Sequence, residues 1–344
     1  MLELKLSRIS TLGIALSVVL VIPGLLAAPR LATLHMGLVG LGAGLLFPTA
    51  MYITFTGSLK SGLPRRGVEA AVPLASVLLA AASLPLYLAG HPGWRASAVG
   101  GLLFLALHSW LQARGWRRRE PWFVLLYPSL AGAAGLACGC GVVESMLRVG
   151  LFYAAPMVVV VSLLTVSRNY GVDPSRPWVY SPLALNAVSL VLAVAGYSWY
   201  PVVSGLGLLL YFAVLRVWRA PSLVARGLRI GGPGGGALVY MGVSHLSSLA
   251  SQLLWLASLD VLSMVHVVYI GFVGVHIFLH APLMLPQVVR VRLAKVYVPP
   301  LPPILLAMAA VARPWLPGMS YALMVASLIL LLVQFRPLGL VGRG

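Results

Sequence analysis

Histidine is the residue type in this sequence whose number and spacing best suit chemistry. Three histidines, His266, His276 and His280, fall within fifteen residues of otherwise apolar sequence, and four more precede them. Neutral imidazole is a good ligand of iron and copper, and a ligand bond offsets the free energy of placing it in lipid. The first question is therefore whether these side chains bind a metal or a haem. The other four are His35, His91, His108 and His245.

The histidines fall at two levels along the apolar segments that are predicted below to cross a membrane. His35 and His266 each lie four residues into a segment, or about 6 Å from the predicted outer face at a rise of about 1.5 Å per residue. Their common depth predicts that they are the two axial ligands of one haem. An inner level, about 7 to 12 Å from the opposite face, is formed by His108, His245 and His280.

The fourteen-residue spacing of His266 and His280 indicates a second ligand on the same helix. On a continuous α-helix these positions differ by about 40° around the axis, so both imidazoles would face the same interior. His280 would then hold a second haem together with His245 or His108. His276 lies between the two levels and about 80° away from His266, so we interpret it as a packing or proton-path residue.

Small and sulfur-bearing residues accompany the two outer histidines. Gly40 follows His35 by five residues, and Gly271 and Gly274 follow His266. Such glycines either make room for a flat macrocycle or allow close helix packing. The sulfur atoms of two nearby methionines could bind iron, and those of two cysteines could bind copper. The alternative is that these residues only pack between helices. These residues are Met36, Met264, Cys138 and Cys140.

The composition indicates an integral membrane protein. Of the 344 residues, 60% are hydrophobic and 9% are charged, and the mean hydropathy is +0.98, which a water-soluble domain of this size does not tolerate. Twelve segments are long and apolar enough to be predicted as membrane helices. They are 9–29, 31–57, 68–90, 95–113, 121–142, 146–168, 178–196, 199–218, 237–258, 262–285, 297–314 and 316–336.

The basic residues predict the topology. With the N-terminus inside, 20 of the 24 Lys and Arg residues fall on the cytoplasmic side of the cell membrane, as the positive-inside rule requires. Both termini are therefore predicted to be cytoplasmic. The net charge of +18 follows from this topology, so membrane lipid is an expected partner and nucleic acid is not. The four outer cations are Arg30, Arg95, Arg148 and Arg313.

The predicted architecture is one all-α membrane domain that covers residues 1–344. No long polar stretch predicts a domain outside the membrane. The longest loop, 220–236, ends in the run GGPGGG, which is typical of a flexible linker. No half-to-half repeat is evident, which disfavours transporters that are built from duplicated halves.

Two stretches resemble the histidine helices of the NnrS family. They are LHMGLVGLGAGLLFPTAMYITFTG, Leu34–Gly57, and VHVVYIGFVGVHIFLHAPLMLP, Val265–Pro286, which share the pattern of His, four residues and Gly. More distantly, they resemble the second and tenth helices of subunit I of haem-copper oxidases. The resemblance implies a twelve-helix, haem-copper-oxidase-like bundle that binds haem b, with copper as a further cofactor. It also implies a role in electron transfer or in the nitric oxide response and denitrification.

Three alternatives stay open. A two-haem cytochrome b subunit, linked to quinol or to another redox protein, would use the inner histidines. A twelve-helix secondary transporter would bind no cofactor, and a structural subunit would leave the chemistry to a partner. The sixth and seventh predicted helices contain no histidine, so the copper-binding triad of oxygen reduction is absent and oxygen-reducing turnover is not expected.

Overall fold

The computed structural model describes residues 6–27, 32–59, 67–113, 121–139, 141–258, 260–280, 291–293, 300–333 and 335–337. Both termini, Cys140, Pro286 and the basic runs at 60–66 and 114–119 lie outside these residues. The topology that these runs predict therefore stays a prediction. Helices make up nearly all of the described chain.

Each of the twelve predicted apolar segments contains a helix in the structure. Within the described residues, six helices are long and apolar enough to cross a membrane, as expected of a membrane protein. A seventh span results if the bent pair Tyr200–Leu215 and Val217–Ile230 counts as one. The total of twelve spans stays a prediction, because helices such as the 11-residue Tyr127–Ala137 extend only about 17 Å. The six are Ala32–Thr56, Val68–Leu88, Trp94–Ala113, Val142–Thr165, Pro177–Val194 and Ser263–His280.

The chain divides into two compact units, and the single membrane domain stays a prediction. The first comprises Met1–Val161 and Asn186–Pro201. Small residues let its helices approach closely: the Ser76 hydroxyl donates to the Gly101 carbonyl of the next helix at 2.8 Å. Its elements are Leu6–Ala27, Ala32–His35, Met36–Leu46, Phe47–Leu59, Val68–Leu88, Trp94–Ala113, Trp122–Leu125, Tyr127–Ala137, Val142–Val149, Gly150–Ala154, most of Ala155–Thr165 and most of Ser181–Val194.

The second unit comprises Ser162–Leu185 and Val202–Gly344. Its one departure from the predicted all-α class is a short antiparallel strand pair, Val291–Leu293 with Phe335–Pro337. Its helical elements are Ser167–Tyr170, Pro177–Tyr180, most of Tyr200–Leu215, Val217–Arg219, Ala220–Ile230, Gly232–Ser258, Val261–His266, Val267–Gly274, the turn 275–280, Leu301–Ala312 and Pro317–Val333.

The prediction of a flexible linker at 220–236 was wrong. The segment is a helical hairpin that turns at Gly231 and Gly232, where φ is 61° and 62°. The two helices meet through glycine: a Cβ on Gly227 would lie 2.6 Å from the carbonyl oxygen of Gly235. The glycines are therefore contact surfaces for close helix packing, and their number alone gave a misleading impression of flexibility.

In the part of the chain that the structure describes, three π-helical segments interrupt the long helices: Met36–Leu46, Gly150–Ala154 and Val267–Gly274. A π-helix bonds residue i to i+5 and turns less per residue than an α-helix. Eight π-helical residues separate His266 from His280, so the predicted angle of about 40° between them, which assumed a continuous α-helix, does not hold. The spacing of five residues from His to Gly in both predicted haem helices equals the π-helical hydrogen-bond period.

Candidate functional site

Six buried polar side chains meet in the second unit, and we call them the His–Tyr cluster. None of them is more than 7% exposed, so bulk water does not reach the cluster. Buried polar groups are usually hydrogen bonded, and ionisable residues within membrane helices often mark functional sites. The members are Ser162, Tyr170, Tyr211, His245, His276 and His280.

Five elements bring the cluster together. Tyr170 ends a short 3₁₀ turn, because Gly171 takes a left-handed φ of 71° that stops the helix. Tyr211 and His245 lie inside two long helices of the same unit. The elements are Ala155–Thr165, Ser167–Tyr170, Tyr200–Leu215, Gly232–Ser258 and Ser263–His280.

The rings of His245 and His276 meet at 5.2 Å between centroids, with their planes at 82°. The Nδ1 atom of His245 lies 2.9 Å from the Met241 carbonyl oxygen, and that of His276 lies 2.8 Å from the Phe272 carbonyl oxygen. A carbonyl oxygen only accepts hydrogen bonds, so these contacts favour the tautomer with hydrogen on Nδ1. Each neutral ring then carries its lone pair on Nε2.

The Tyr211 hydroxyl is the point on which the two lone pairs converge. Its oxygen lies 3.3 Å from Nε2 of His245 and 3.3 Å from Nε2 of His276. The Tyr170 hydroxyl lies 3.0 Å from Nδ1 of His245. The Ser162 hydroxyl interacts with the Tyr211 hydroxyl. It also lies 3.1 Å from Nε2 of His280, which brings this last histidine into the network. The cluster is thus one connected hydrogen-bond network from the end of the Tyr170 turn to the interior.

The two predicted haem ligands occupy equivalent places in their helices. His35 and His266 are each half-buried, and each is the last residue before a π-helical segment. His35 donates from Nδ1 to the Gly24 carbonyl at 3.0 Å, which leaves the lone pair on Nε2. His35 belongs to the first unit and His266 to the second, and their pairing on one haem stays a prediction.

The three glycines that we associated with a macrocycle pack against neighbouring helices. A Cβ on Gly40 would meet the Met146 sulfur, and one on Gly271 would meet the Ser251 hydroxyl. A Cβ on Gly274 would lie 2.9 Å from a methyl carbon of a leucine side chain, Leu306. These contacts favour the packing interpretation of Gly40, Gly271 and Gly274. A macrocycle beside either histidine would have to lie on a different face of its helix.

The predicted inner level of histidines is divided. His245 and His280 join the His–Tyr cluster, whereas His108 belongs to the first unit. The Nε2 atom of His108 lies 3.0 Å from the Thr56 hydroxyl oxygen. The Nε2 atoms of His245 and His280 face the hydroxyls of Tyr211 and Ser162. A second haem would therefore have to break two buried hydrogen bonds before it could bind these nitrogens.

Other predicted ligands give little further support for a metal. Cys138 is exposed, and Met264 is buried next to His266 while Met36 is half-buried. Among the residues that the structure describes, no group of three or more His, Cys, Asp and Glu side chains is arranged to hold a metal ion.

Our interpretation of the sequence missed most of the His–Tyr cluster. His276 was interpreted apart from the inner histidines, and Tyr170, Tyr211 and Ser162 were not considered. The available signal was the spacing of four between His276 and His280, which places both on one face of an α-helix. Nothing in the sequence identifies Tyr211 as their common partner, because that contact joins distant segments.

Comparison with protein-family models, with curated proteins and with solved structures found no match to this chain. The proposals that follow therefore depend on the residues and on their geometry.

Proposed function

We propose that the protein is a multi-span protein of the cell membrane that binds one haem b, with His35 and His266 as imidazole ligands. The observation that carries this proposal is the position of both histidines directly before a π-helical segment. π-helical turns are rare, and they occur frequently at functional sites. Two such turns, each preceded by histidine and each with glycine five residues after it, are unexpected if the histidines only pack.

A backbone carbonyl prepares the imidazole of His35 for a ligand. The Gly24 carbonyl holds the hydrogen of His35 on Nδ1, and this kind of outer contact fixes the tautomer and raises the basicity of the other nitrogen. When bound, the haem would supply reversible one-electron chemistry and an iron atom that can bind nitric oxide. Electron transfer or a nitric oxide response is therefore the activity that we propose, in line with the resemblance to NnrS proteins.

One haem is favoured over two. The two-haem alternative requires His280 with His245 or His108, and each of these rings already has a buried hydroxyl partner.

The test is an optical spectrum of the full-length protein, purified after expression with added haem precursor. A Soret band that shifts and sharpens on reduction is expected, and nitric oxide should shift it further only by displacing one of the two imidazoles. His35→Ala and His266→Ala should each alter the band, whereas His91→Ala, at an exposed loop position, should leave it unchanged. A colourless protein that drives proton-coupled uptake in liposomes would instead establish the transporter alternative.

A further inference from the structure

We propose that His245, Tyr211 and His276 form a buried site that binds one proton. Tyr170 would connect this site to the basic end of the helices. The inference goes beyond haem binding and does not depend on it, because neither His35 nor His266 belongs to the cluster. It rests on a count of hydrogen atoms within the network.

In the tautomer that the backbone contacts favour, both rings hold their hydrogen on Nδ1. The two Nε2 atoms then each need a hydrogen from the Tyr211 hydroxyl, 3.3 Å from both. A phenol has only one hydrogen to donate. One of the two contacts, to His245 or to His276, therefore places a lone pair against the hydroxyl oxygen, which is unfavourable in a buried site.

The other tautomer of His245 does not remove the shortage. Nε2 of His245 could donate to Tyr211, which would then donate to His276, and the Tyr170 hydroxyl could donate to Nδ1 of His245. That arrangement turns the Nδ1 lone pair toward the Met241 carbonyl oxygen at 2.9 Å. Two acceptors would again face each other. The alternative tautomer of His276 meets the same difficulty, because its Nδ1 lone pair would face the Phe272 carbonyl oxygen at 2.8 Å. Each of these neutral forms is thus one hydrogen short.

One added proton satisfies every contact. A proton from solvent forms an N–H bond on His245, which then donates from Nδ1 to the Met241 carbonyl and from Nε2 to Tyr211. The Tyr211 hydroxyl donates to Nε2 of His276, and His276 donates from Nδ1 to the Phe272 carbonyl. The net charge of the cluster rises by one, and no bond within the protein is broken.

The surroundings limit the site to a single proton. The titratable groups that face His245 are Tyr170, Tyr211, His276 and His280. The guanidinium of Arg219 donates to the Tyr170 carbonyl at 3.3 Å. None of these groups is a carboxylate that could neutralise two imidazolium ions, and two adjacent cations in a buried site repel each other strongly.

Tyr170 is the member of the site that lies beside exposed chain. Its side chain is 1% exposed, yet its chain neighbours Asn169 and Gly171 are exposed. The turn thus reaches from the surface to His245 in one residue. Arg168 on this turn and Arg176 in the loop that follows it predict that this end faces the cytoplasm, so the site would exchange protons with that side.

The experiment is a ¹⁵N NMR titration of the full-length protein, labelled on the histidine rings, from pH 8 to pH 4 in lipid nanodiscs. Signals are assigned with His245→Gln and His276→Gln, and His91→Gln is the control at an exposed position. We expect the pair to gain one shared proton in this range. Tyr211→Phe removes the oxygen that accepts from the imidazolium, so it should weaken proton binding by at least about tenfold.

Three outcomes would overturn the proposal: both rings stay neutral to pH 4, the pair takes up two independent protons, or Tyr211→Phe leaves the titration unchanged. If Tyr211→Phe is not recovered as a monodisperse protein, His276→Gln replaces it. The glutamine amide can donate to the Tyr211 oxygen and supply the missing hydrogen, so proton uptake at His245 should weaken there too.

Discussion

His245 and His276 stand on different helices, and each directs Nε2 at the same oxygen, the Tyr211 hydroxyl, from 3.3 Å. Their Nδ1 atoms are tied to backbone carbonyls four residues earlier. The backbone therefore determines where the lone pairs point. A hydroxyl that serves two acceptors is poorly satisfied, and this has a consequence for stability that can be measured.

Tyr211→Phe should cost less stability than an ordinary loss of a buried hydroxyl. The matched control is Tyr52→Phe, because the Tyr52 hydroxyl is fully buried and donates to the Leu125 carbonyl at 2.6 Å. Removal of that well-formed bond should cost about 1 to 2 kcal/mol. At pH 8, Tyr211→Phe should cost less than half as much, since it also removes an unfavourable contact. Equal losses of thermal stability in detergent would argue against the poorly satisfied hydroxyl.

The helical hairpin at 220–258 predicts a sharp difference between two adjacent glycines. Gly235 packs against the Gly227 backbone, whereas a Cβ on Gly234 would meet nothing within 4 Å. Gly235→Ala should lower the melting temperature clearly, because the backbone of Gly227 cannot move aside. Gly234→Ala should be neutral or slightly stabilising, since alanine favours the helix. If both variants melt like the wild type, the segment behaves as the flexible linker that its composition indicated.

Substitution of Arg148 should lower the stability of the protein strongly. It is 3% exposed, pairs with Glu144 at 2.6 Å and donates to the carbonyls of Cys138 and Ala193 at 2.9 and 3.1 Å. Arg148→Ala leaves these acceptors without their donor, and the loss should exceed about 2 kcal/mol. Glu144→Gln should cost less, because this carboxylate is partly exposed. Comparison of the two melting temperatures checks the order.

The turn after Tyr170 should depend on pH through Asp173. Hydrogen bonds from the backbone N–H and the hydroxyl of Ser175 lower the pKa of the Asp173 carboxyl. A carboxyl whose pKa is lower in the folded state stabilises the protein above its unfolded pKa of about 3.9 and loses this effect as the pH falls through the folded value. Asp173→Ala should therefore melt slightly below the wild type at pH 7, and the gap should close below about pH 4. A gap that stays constant with pH would show that the charge is not responsible.

Much of the helical framework could be predicted from the sequence. Apolar runs separated by basic or glycine-containing turns are a local signal, and every predicted segment contains a helix. Helix ends were harder to predict, as at Tyr127–Ala137, because hydropathy does not report where a chain bends. The helix at the GGPGGG run was also missed, because it packs against the helix that contains Gly227, and that contact is not visible in the local sequence.

The candidate sites were predictable only in part. The shared His-to-Gly spacing of His35 and His266 is visible in the sequence, and it coincides with two π-helical segments. An angle calculated for a regular α-helix does not apply across a π-helical segment. The predicted angle of about 40° around the helix axis between His266 and His280 was therefore wrong. The contact of His276 with His245 could not be predicted, because the two residues lie on different helices and are 31 positions apart in sequence.

The most direct test of the account is the number of haems per chain, measured as the pyridine haemochrome against total protein. We expect one haem b per chain in the wild type and close to none in the double variant His35→Ala, His266→Ala. The double variant His245→Ala, His280→Ala should keep its haem. Loss of haem from the second double variant but not from the first would contradict the proposed ligands.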